Sequence, residues 1–173
     1  MDTNLFPKIK FWLAKTLVIL VLAVGVAVPA FAKAPVAGDK APEFSLISIH
    51  GEKISLSAFK GKVLLIGMFH ICAPCRNQAM EFNKVREKIG SENLVILGIN
   101  TSGDSKEAVL EYLEGFPQPT AFPYLLDPGQ TVNRSYIQRD MPTVLIVDKE
   151  GVLRARTPAV GADQLIPYLK KLL

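Results

Sequence analysis

Two cysteines, Cys72 and Cys75, are the residues of this chain whose type and spacing point most directly to chemistry. They stand in the hexapeptide HICAPC, residues 70–75, between an apolar run and a segment with helical periodicity. Cysteines three positions apart in a first helical turn fall within the Cα separation of about 4.4–6.8 Å that a disulfide tolerates. The spacing therefore predicts a pair that alternates between a dithiol and a disulfide.

The predicted helix gives the two sulfurs different tasks. Cys72, at the helix N-terminus, faces unpaired backbone N–H groups and the positive end of the helix dipole, which stabilise a thiolate and lower the pKa of the thiol. Because thiolate is the attacking species in disulfide exchange, Cys72 is the predicted nucleophile. Cys75, one turn inside the helix, is predicted to be more buried and to resolve the mixed disulfide. Pro74 fits the first turn, where its missing N–H would have no partner.

Two other interpretations of the pair are compatible with the sequence. In an oxidising compartment the cysteines could form a structural disulfide, although closing so small a loop contributes only about 2 kcal/mol. A zinc site would need His50 and His70 as further ligands, and these do not form a second spaced pair. We favour redox exchange, with no metal and no cofactor other than the cysteine pair itself.

His70 and the dipeptide Met141-Pro142 are weaker candidates. An imidazolium two residues before Cys72 would stabilise the thiolate and make the disulfide more oxidising. The alternative is an exposed histidine at a strand end with no role.

Pro142 precedes a predicted strand, which is a common position for a proline without a function. Only about 5–6% of X–Pro bonds are cis in folded proteins, so this dipeptide alone is a weak signal of a cis-proline site.

Residues 1–32 have the features of an export signal. Lys8, Lys10 and Lys15 supply a positive start, residues 16–28 are apolar, and residues 30–32 read Ala-Phe-Ala, as a signal peptidase site requires. An uncleaved membrane anchor is the alternative, because residues 11–32 are nearly long enough to span a bilayer. In both cases the working domain is exported, to the periplasm or the outer face of the cytoplasmic membrane.

Composition limits the remaining function classes. The net charge is +4, of which +2 belongs to residues 1–32, and no run of Lys and Arg stands out, so nucleic-acid binding is not expected. With 49% hydrophobic and 21% charged residues the chain can bury a core without help from disulfides. Residues 33–40, KAPVAGDK, are predicted to be a linker to one domain, residues 41–173. Membrane contact is expected only through the N-terminal segment, if that segment is not cleaved.

Hydrophobic periodicity predicts an α/β domain with a mixed central sheet, helices on both faces and an N-terminal β-hairpin extension. The predicted strands are 44–50 and 54–56 (the hairpin), 63–69, 94–99, 124–126, 143–147 and 152–156. The predicted helices are 75–89, one from Ser102 or Asp104 to 113, 128–136 and 161–173. Tyr112 is assigned to the apolar face of the second helix.

Several motifs in this order resemble the TlpA/ResA branch of thioredoxin-like proteins. The similarity spans nearly all of residues 39–173. Its motifs are the Cys72–Cys75 pair, VLL at 63–65, FPYLLDP at 122–128, Met141-Pro142-Thr143 and DKEG at 148–151. The segments APEF at 41–44 and Gly61-Lys62 fit both this branch and the related peroxiredoxins.

The resemblance implies a thioredoxin fold in which Pro142 is cis and lies against the cysteine pair, while the Met141 backbone helps to dock an extended substrate. It further implies a thiol–disulfide oxidoreductase that reduces disulfides of other exported proteins. The haem-attachment cysteines of apocytochrome c are one such substrate in this family. A membrane thiol transporter would supply the electrons.

The chain departs from the family pattern around the cysteines. Ile71 stands where the family usually has Trp, and Gly67-Met68 replace the common Phe-Trp pair. The buried acid of thioredoxins would fall near Ile66. Gln78 occupies the position of a Glu found in cytochrome-maturation members; an amide can hydrogen-bond or hold a water but cannot act as a base.

Two other functions compete with disulfide exchange. A peroxiredoxin would carry Thr three residues before its reactive cysteine, but Phe69 occupies that position. A copper-delivery protein would use Cys72, Cys75 and a histidine, and would lose Cu(I) binding when either cysteine is replaced.

Overall fold

The computed structural model describes residues 33–173; the predicted signal peptide or anchor, residues 1–32, lies outside the described part. The strands are β1 (Ser45–Ser48), β2 (Lys53–Ser55), β3 (Val63–Phe69), β4 (Leu94–Asn100), β5 (Tyr124–Leu126), β6 (Thr143–Val147) and β7 (Leu153–Thr157). The helices are α1 (Ala73–Ile89), α2 (Lys106–Glu114), α3 (Thr131–Tyr136) and α4 (Ala162–Lys170), with a 3-10 turn at Leu56–Phe59. Within residues 33–173 none of the helices has the length and apolar character needed to span a bilayer.

The seven strands form one mixed sheet in the order β2-β1-β5-β4-β3-β6-β7. Strands β3, β4 and β5 are parallel, whereas β6 runs antiparallel to β3 and β7 antiparallel to β6. At the other edge β1 and β2 pair antiparallel, with Leu46 opposite Ile54. The predicted mixed sheet is confirmed.

Helices cover both faces of the sheet, as predicted. Buried residues of α1, α2 and α4 share one apolar cluster, and those of α3 share a second with the 3-10 turn. Central strand β3 contributes to both: Val63, Leu65 and Phe69 belong to the first cluster, and Leu64, Ile66 and Met68 to the second. Burial on both faces explains why residues 63–69 form a continuous apolar run rather than an alternating one.

Two paired glycines make room for aromatic rings under α1. Gly67 of β3 lies opposite Gly98 of β4. A Cβ at Gly67 would lie 2.1 Å from Cζ of Phe69, whose ring folds back over the glycine. That ring stacks on Tyr124, with centroids 6.0 Å apart. The apolar cluster that holds these rings also contains Cys75, so β3 supports the cysteine helix through an aromatic layer.

Two predicted helix starts were wrong because side chains decide them. Helix α1 begins at Ala73, two residues before the predicted start, since Cys72 itself is the N-cap. Ser105 caps α2, its hydroxyl accepting the Ala108 N–H at 3.2 Å. The predicted caps Ser102 and Asp104 instead bond to each other.

Two further boundaries also differ. Helix α3 begins at Thr131 instead of 128, because the buried Asp127 carboxylate accepts the N–H groups of Thr131 and Val132 at 2.7 and 2.8 Å. Helix α4 ends at Lys170, before the predicted 173.

The end of the predicted linker is bonded to the start of β7. The Gly38 N–H donates to the Leu153 carbonyl at 2.8 Å, and the Leu153 N–H donates to the Asp39 carbonyl at 2.9 Å.

We expect Gly67→Ala to lower the free energy of unfolding by about 1–3 kcal/mol, because the added methyl overlaps the Phe69 ring in a closely packed layer. Urea unfolding measures the change. Gly129→Ala is the matched control, since its Cβ would meet only a methyl group at 3.5 Å. Adding Phe69→Leu to Gly67→Ala should recover part of the loss. An unchanged midpoint for Gly67→Ala would contradict this account of the packing.

Candidate active site

Cys72 occupies the N-cap of α1 with an extended backbone, φ −157° and ψ 156°. Its Sγ accepts a hydrogen bond from the Cys75 N–H at 3.3 Å. Pro74 lies in the first turn, as predicted, and has no N–H to leave unpaired. A negatively charged sulfur at this position would receive the N–H bond and face the positive end of the helix dipole. The side chain is partly exposed, so a substrate can reach it.

Cys75 is the buried member of the pair, with 1% of its surface exposed. Its Sγ accepts the main-chain N–H of His70 at 3.3 Å. Burial raises the pKa of the Cys75 thiol to about 12, and the hydrogen bond and charge of Cys72 act in the same direction, against a smaller opposing effect of the His70 N–H. Cys75 is therefore a protonated thiol at neutral pH. Both cysteines are free thiols in this structure.

Tyr112 of α2 holds the backbone of the first cysteine. Its hydroxyl donates to the Cys72 carbonyl at 2.5 Å, and the same carbonyl accepts the first helical bond, from Arg76 N–H, at 3.0 Å. Burial raises the pKa of Tyr112 to about 12, so the phenol stays protonated and remains a donor. The ring packs edge-on against Phe116, with centroids 4.9 Å apart. The sequence indicated only an apolar helix position here, because nothing in the pattern of α2 signals a partner 40 residues away.

The Met141–Pro142 peptide bond is cis, as the resemblance implies. The next residue, Thr143, pairs with Met68 near the end of β3, so the proline lies at the sheet end from which the cysteine segment departs. Pro142 is buried, whereas Met141 is 48% exposed and Ile71, next to Cys72, is 42% exposed. Two large apolar side chains thus reach solvent at this end of the sheet.

Gln138 holds the segment before Pro142 in place, a role that no sequence pattern indicated. Its amide nitrogen donates to the carbonyls of Met68 and Asp140, both at 3.2 Å. Its amide oxygen accepts the Thr101 hydroxyl at 2.5 Å. These bonds join β3, the loop after β4 and the cis-proline segment into one unit.

Gln78 is buried in α1 and binds main chain on both sides of its amide. Nε2 donates to the Val160 carbonyl at 2.8 Å, and Oε1 accepts the Val160 N–H at 2.7 Å. Glu81, one turn further on, accepts the Ala162 N–H at 2.8 Å. Both residues therefore attach α1 to the start of α4.

His70 is half-buried at the junction between β3 and α1. Burial lowers the pKa of its imidazole, with an opposing effect from the Asp104 carboxylate. The imidazolium that the sequence suggested is therefore not the favoured form at neutral pH. Nε2 is buried and has no hydrogen-bond partner among residues 33–173.

Open grooves border α1 on two sides. One, of about 450 Å³, is lined by Ile71, Arg76 and Tyr112 together with other residues of α2. The other, of about 360 Å³, is lined by Pro74, Gln78 and Val160 and their neighbours. An extended peptide crossing Cys72 would have room for side chains on both sides.

The peroxidase alternative finds less support in the geometry. Phe69, at the position of the peroxiredoxin threonine, is fully buried in the aromatic layer and offers no hydroxyl. In residues 33–173 the structure shows no group of three or more His, Cys, Asp or Glu side chains that could hold a metal ion.

We expect iodoacetamide at pH 7–8 to modify Cys72 of the reduced protein and to leave Cys75 unmodified. A thiol with a pKa raised to about 12 stays protonated up to strongly alkaline pH, and burial also excludes the reagent. Peptide mass spectrometry measures the labelling, with urea-unfolded protein as the control in which both cysteines react. Equal labelling of the two cysteines in the folded protein would contradict the assignment.

We expect Tyr112→Phe to change the reduction potential of the cysteine pair and the alkylation rate of Cys72 while leaving unfolding nearly unchanged. The variant keeps the ring packing and removes only the hydrogen bond to the Cys72 carbonyl. Phe116→Leu, which removes the ring that packs on Tyr112, is the control for packing. A potential identical to that of the wild type would show that the bond does not position the nucleophile.

Comparison with known proteins agrees with this geometry. The AhpC/TSA family model matches residues 37–156. The thiol-disulfide oxidoreductase ResA of Bacillus thuringiensis subsp. konkukian is 27% identical over 137 residues, which cover 78% of each chain. The thioredoxin-like protein YneN of Bacillus subtilis is 32% identical over 119 residues, 68% of each chain.

Among solved structures, the thioredoxin domain of a thiol-disulfide oxidoreductase from Bacteroides vulgatus superposes with a TM-score of 0.69. It is 24% identical and the match covers 78% of this chain and 96% of that one, which establishes the thioredoxin-like fold. Family match, relatives and fold lead to one conclusion: the chain belongs to the AhpC/TSA family and is a thioredoxin-like thiol–disulfide oxidoreductase.

Proposed function

We propose that this enzyme is exported and reduces disulfides of other exported proteins through Cys72 and Cys75. The observation that carries the proposal is the difference between the two sulfurs: Cys72 is accessible at the N-terminus of α1, and Cys75 is buried one turn behind it. The accessible sulfur meets the substrate, and the buried one is shielded from it.

The reaction has two steps. In the first, the Cys72 thiolate attacks a substrate disulfide, forming a mixed disulfide and releasing one substrate thiolate, which takes a proton from solvent. In the second, Cys75 loses its proton and attacks Sγ of Cys72, so that the second substrate thiol leaves. The substrate gains two electrons and two protons, and the enzyme keeps a Cys72–Cys75 disulfide.

Substrate binding is assigned to the surface around the cis-proline. Ile71 and Met141 expose apolar side chains there. We assign the Met141 backbone to pairing with an extended substrate segment, and the two grooves beside α1 to its side chains. Pro142 and the Gln138 bonds keep this surface rigid, so little ordering is needed when a peptide binds.

Regeneration needs an upstream dithiol, because an oxidising compartment does not restore the reduced pair. We assign this task to a membrane thiol donor, in keeping with the export features of residues 1–32. Apocytochrome c is one candidate substrate, on the family resemblance. Gln78, whose amide is bound on both sides to Val160, offers no base at the position of the family glutamate. We therefore propose exported disulfide proteins in general as the substrate class.

We expect Cys75→Ser to accumulate mixed disulfides with substrate proteins in intact cells, because the first step remains and the second is lost. Non-reducing gels followed by mass spectrometry identify the adducts. Cys72→Ser is the matched control and should trap none, since it lacks the nucleophile. Recovery of no adduct with Cys75→Ser would contradict the exchange mechanism.

Two measurements on the purified protein complete the test. A reduction potential of about −270 mV fits a reductant, whereas a potential of about −120 mV would make the protein an oxidant. Catalytic consumption of hydrogen peroxide would instead favour the peroxidase alternative. Tight Cu(I) binding lost in either cysteine variant would favour copper delivery.

A further inference from the structure

The second step of the proposed reaction requires a base near Cys75. This thiol is almost fully buried, and burial raises its pKa to about 12, so few molecules ionise spontaneously at neutral pH. Ile66 is apolar and belongs to the cluster on the opposite face of the sheet. The Gln78 amide is bound to Val160 and has no basic atom. Neither of these two side chains can therefore accept the proton of the Cys75 thiol.

The other ionisable groups around the cysteines are poor acceptors. Tyr112 from α2 donates to the Cys72 carbonyl, and Tyr124 from β5 is a buried phenol whose pKa is raised well above its ordinary value. Both keep their own protons at neutral pH. Arg76 on α1 is permanently charged. Asp104, in the loop after β4, already accepts hydrogen bonds from Asn100 and Ser102.

His70 differs from all of these groups. Its main-chain N–H contacts Cys75 Sγ at 3.3 Å, which places the backbone of His70 beside the thiol and leaves the imidazole one side-chain length away. Burial favours its neutral imidazole, the form that accepts a proton. In the described part of the chain, Nε2 of His70 is the one buried side-chain nitrogen or oxygen without a hydrogen-bond partner. His70 as a whole residue is partly exposed, at the boundary between the core and solvent.

We propose that His70 accepts the proton of Cys75 during resolution of the mixed disulfide. Nε2 has no hydrogen-bond partner in the reduced protein's described residues, so the imidazole turns about its side-chain torsions to bring a ring nitrogen to the Cys75 thiol. The Cys75 sulfur then forms the bond to Sγ of Cys72, and the bond from Cys72 to the substrate sulfur breaks. The departing thiolate takes the proton of the imidazolium, or takes one from solvent while the imidazolium releases its own to solvent. Sulfur, electrons and protons balance, and His70 ends as neutral imidazole. This inference rests on the proposed function.

A stopped-flow reaction with the aromatic disulfide DTNB separates the two steps in one trace. The reduced protein should release one coloured thiolate when Cys72 attacks and a second when Cys75 resolves the adduct. We expect His70→Gln to keep the first phase and to slow the second at least tenfold at pH 7, within the range of general-base effects. Every replacement except proline retains the main-chain N–H that bonds Cys75.

The pH profile distinguishes proton transfer from a structural effect. In the wild type the second phase should rise with pH through the imidazole titration, below its ordinary value of 6.5, and then level off, since neutral imidazole is the base. In His70→Gln this step should disappear, leaving a rate that keeps rising with hydroxide. Imidazole added to His70→Ala should restore part of the second phase.

Two controls make the outcome decisive. His50→Gln removes the other histidine of the chain, which is exposed in the turn after β1, and should match the wild type. Cys75→Ser should show the first phase alone. An unchanged second phase in His70→Gln, or a slow one with neither an altered pH profile nor imidazole rescue, would overturn the role of His70. Absence of the first phase in the wild type would instead overturn the proposed function.

Discussion

The start of helix α1 is the constraint on which the rest of the site depends. Sγ of Cys72 takes the place of an N-cap oxygen and accepts a hydrogen bond from the Cys75 N–H. The nucleophile is therefore itself the N-cap of the helix. Its position is then fixed from two sides. The Tyr112 hydroxyl holds the Cys72 carbonyl from α2, and the His70 N–H holds the Cys75 sulfur from the end of β3. A small shift of α1 would break the bonds from Tyr112 and from His70 together.

The packing beneath α1 depends on the absence of a side chain at Gly67. The Phe69 ring folds back over this glycine, where a Cβ would overlap it. Phe69 and Phe82, with centroids 5.8 Å apart, then form the layer that carries Cys75. The same burial that fills this layer keeps Cys75 protonated.

Features encoded locally could be predicted from the sequence, and features that depend on tertiary contacts could not. Strands β3, β5 and β6 match their predicted bounds because burial on both faces leaves an uninterrupted apolar run. The cysteine helix follows from its own periodicity. The starts of α2 and α3 were misplaced since several residues could cap them, and the loop contacts of Asp104 and Asp127 made the choice. Tyr112 and Gln138 reach the site through contacts about 40 and 70 residues away in sequence, for which no local pattern exists.

The chemistry of a neutral base suits a site built in this way. A carboxylate beside Cys75 would have to be charged in order to accept a proton, and a charge in an apolar layer carries a large desolvation cost. Imidazole is neutral in its accepting form, so the resting enzyme places no charge beside Cys75. The desolvation cost falls only on the protonated state, which lasts for the resolving step. Isoleucine at 66 and a main-chain-bound glutamine at 78 are then compatible with activity, because the proton leaves by the strand end instead of through the core.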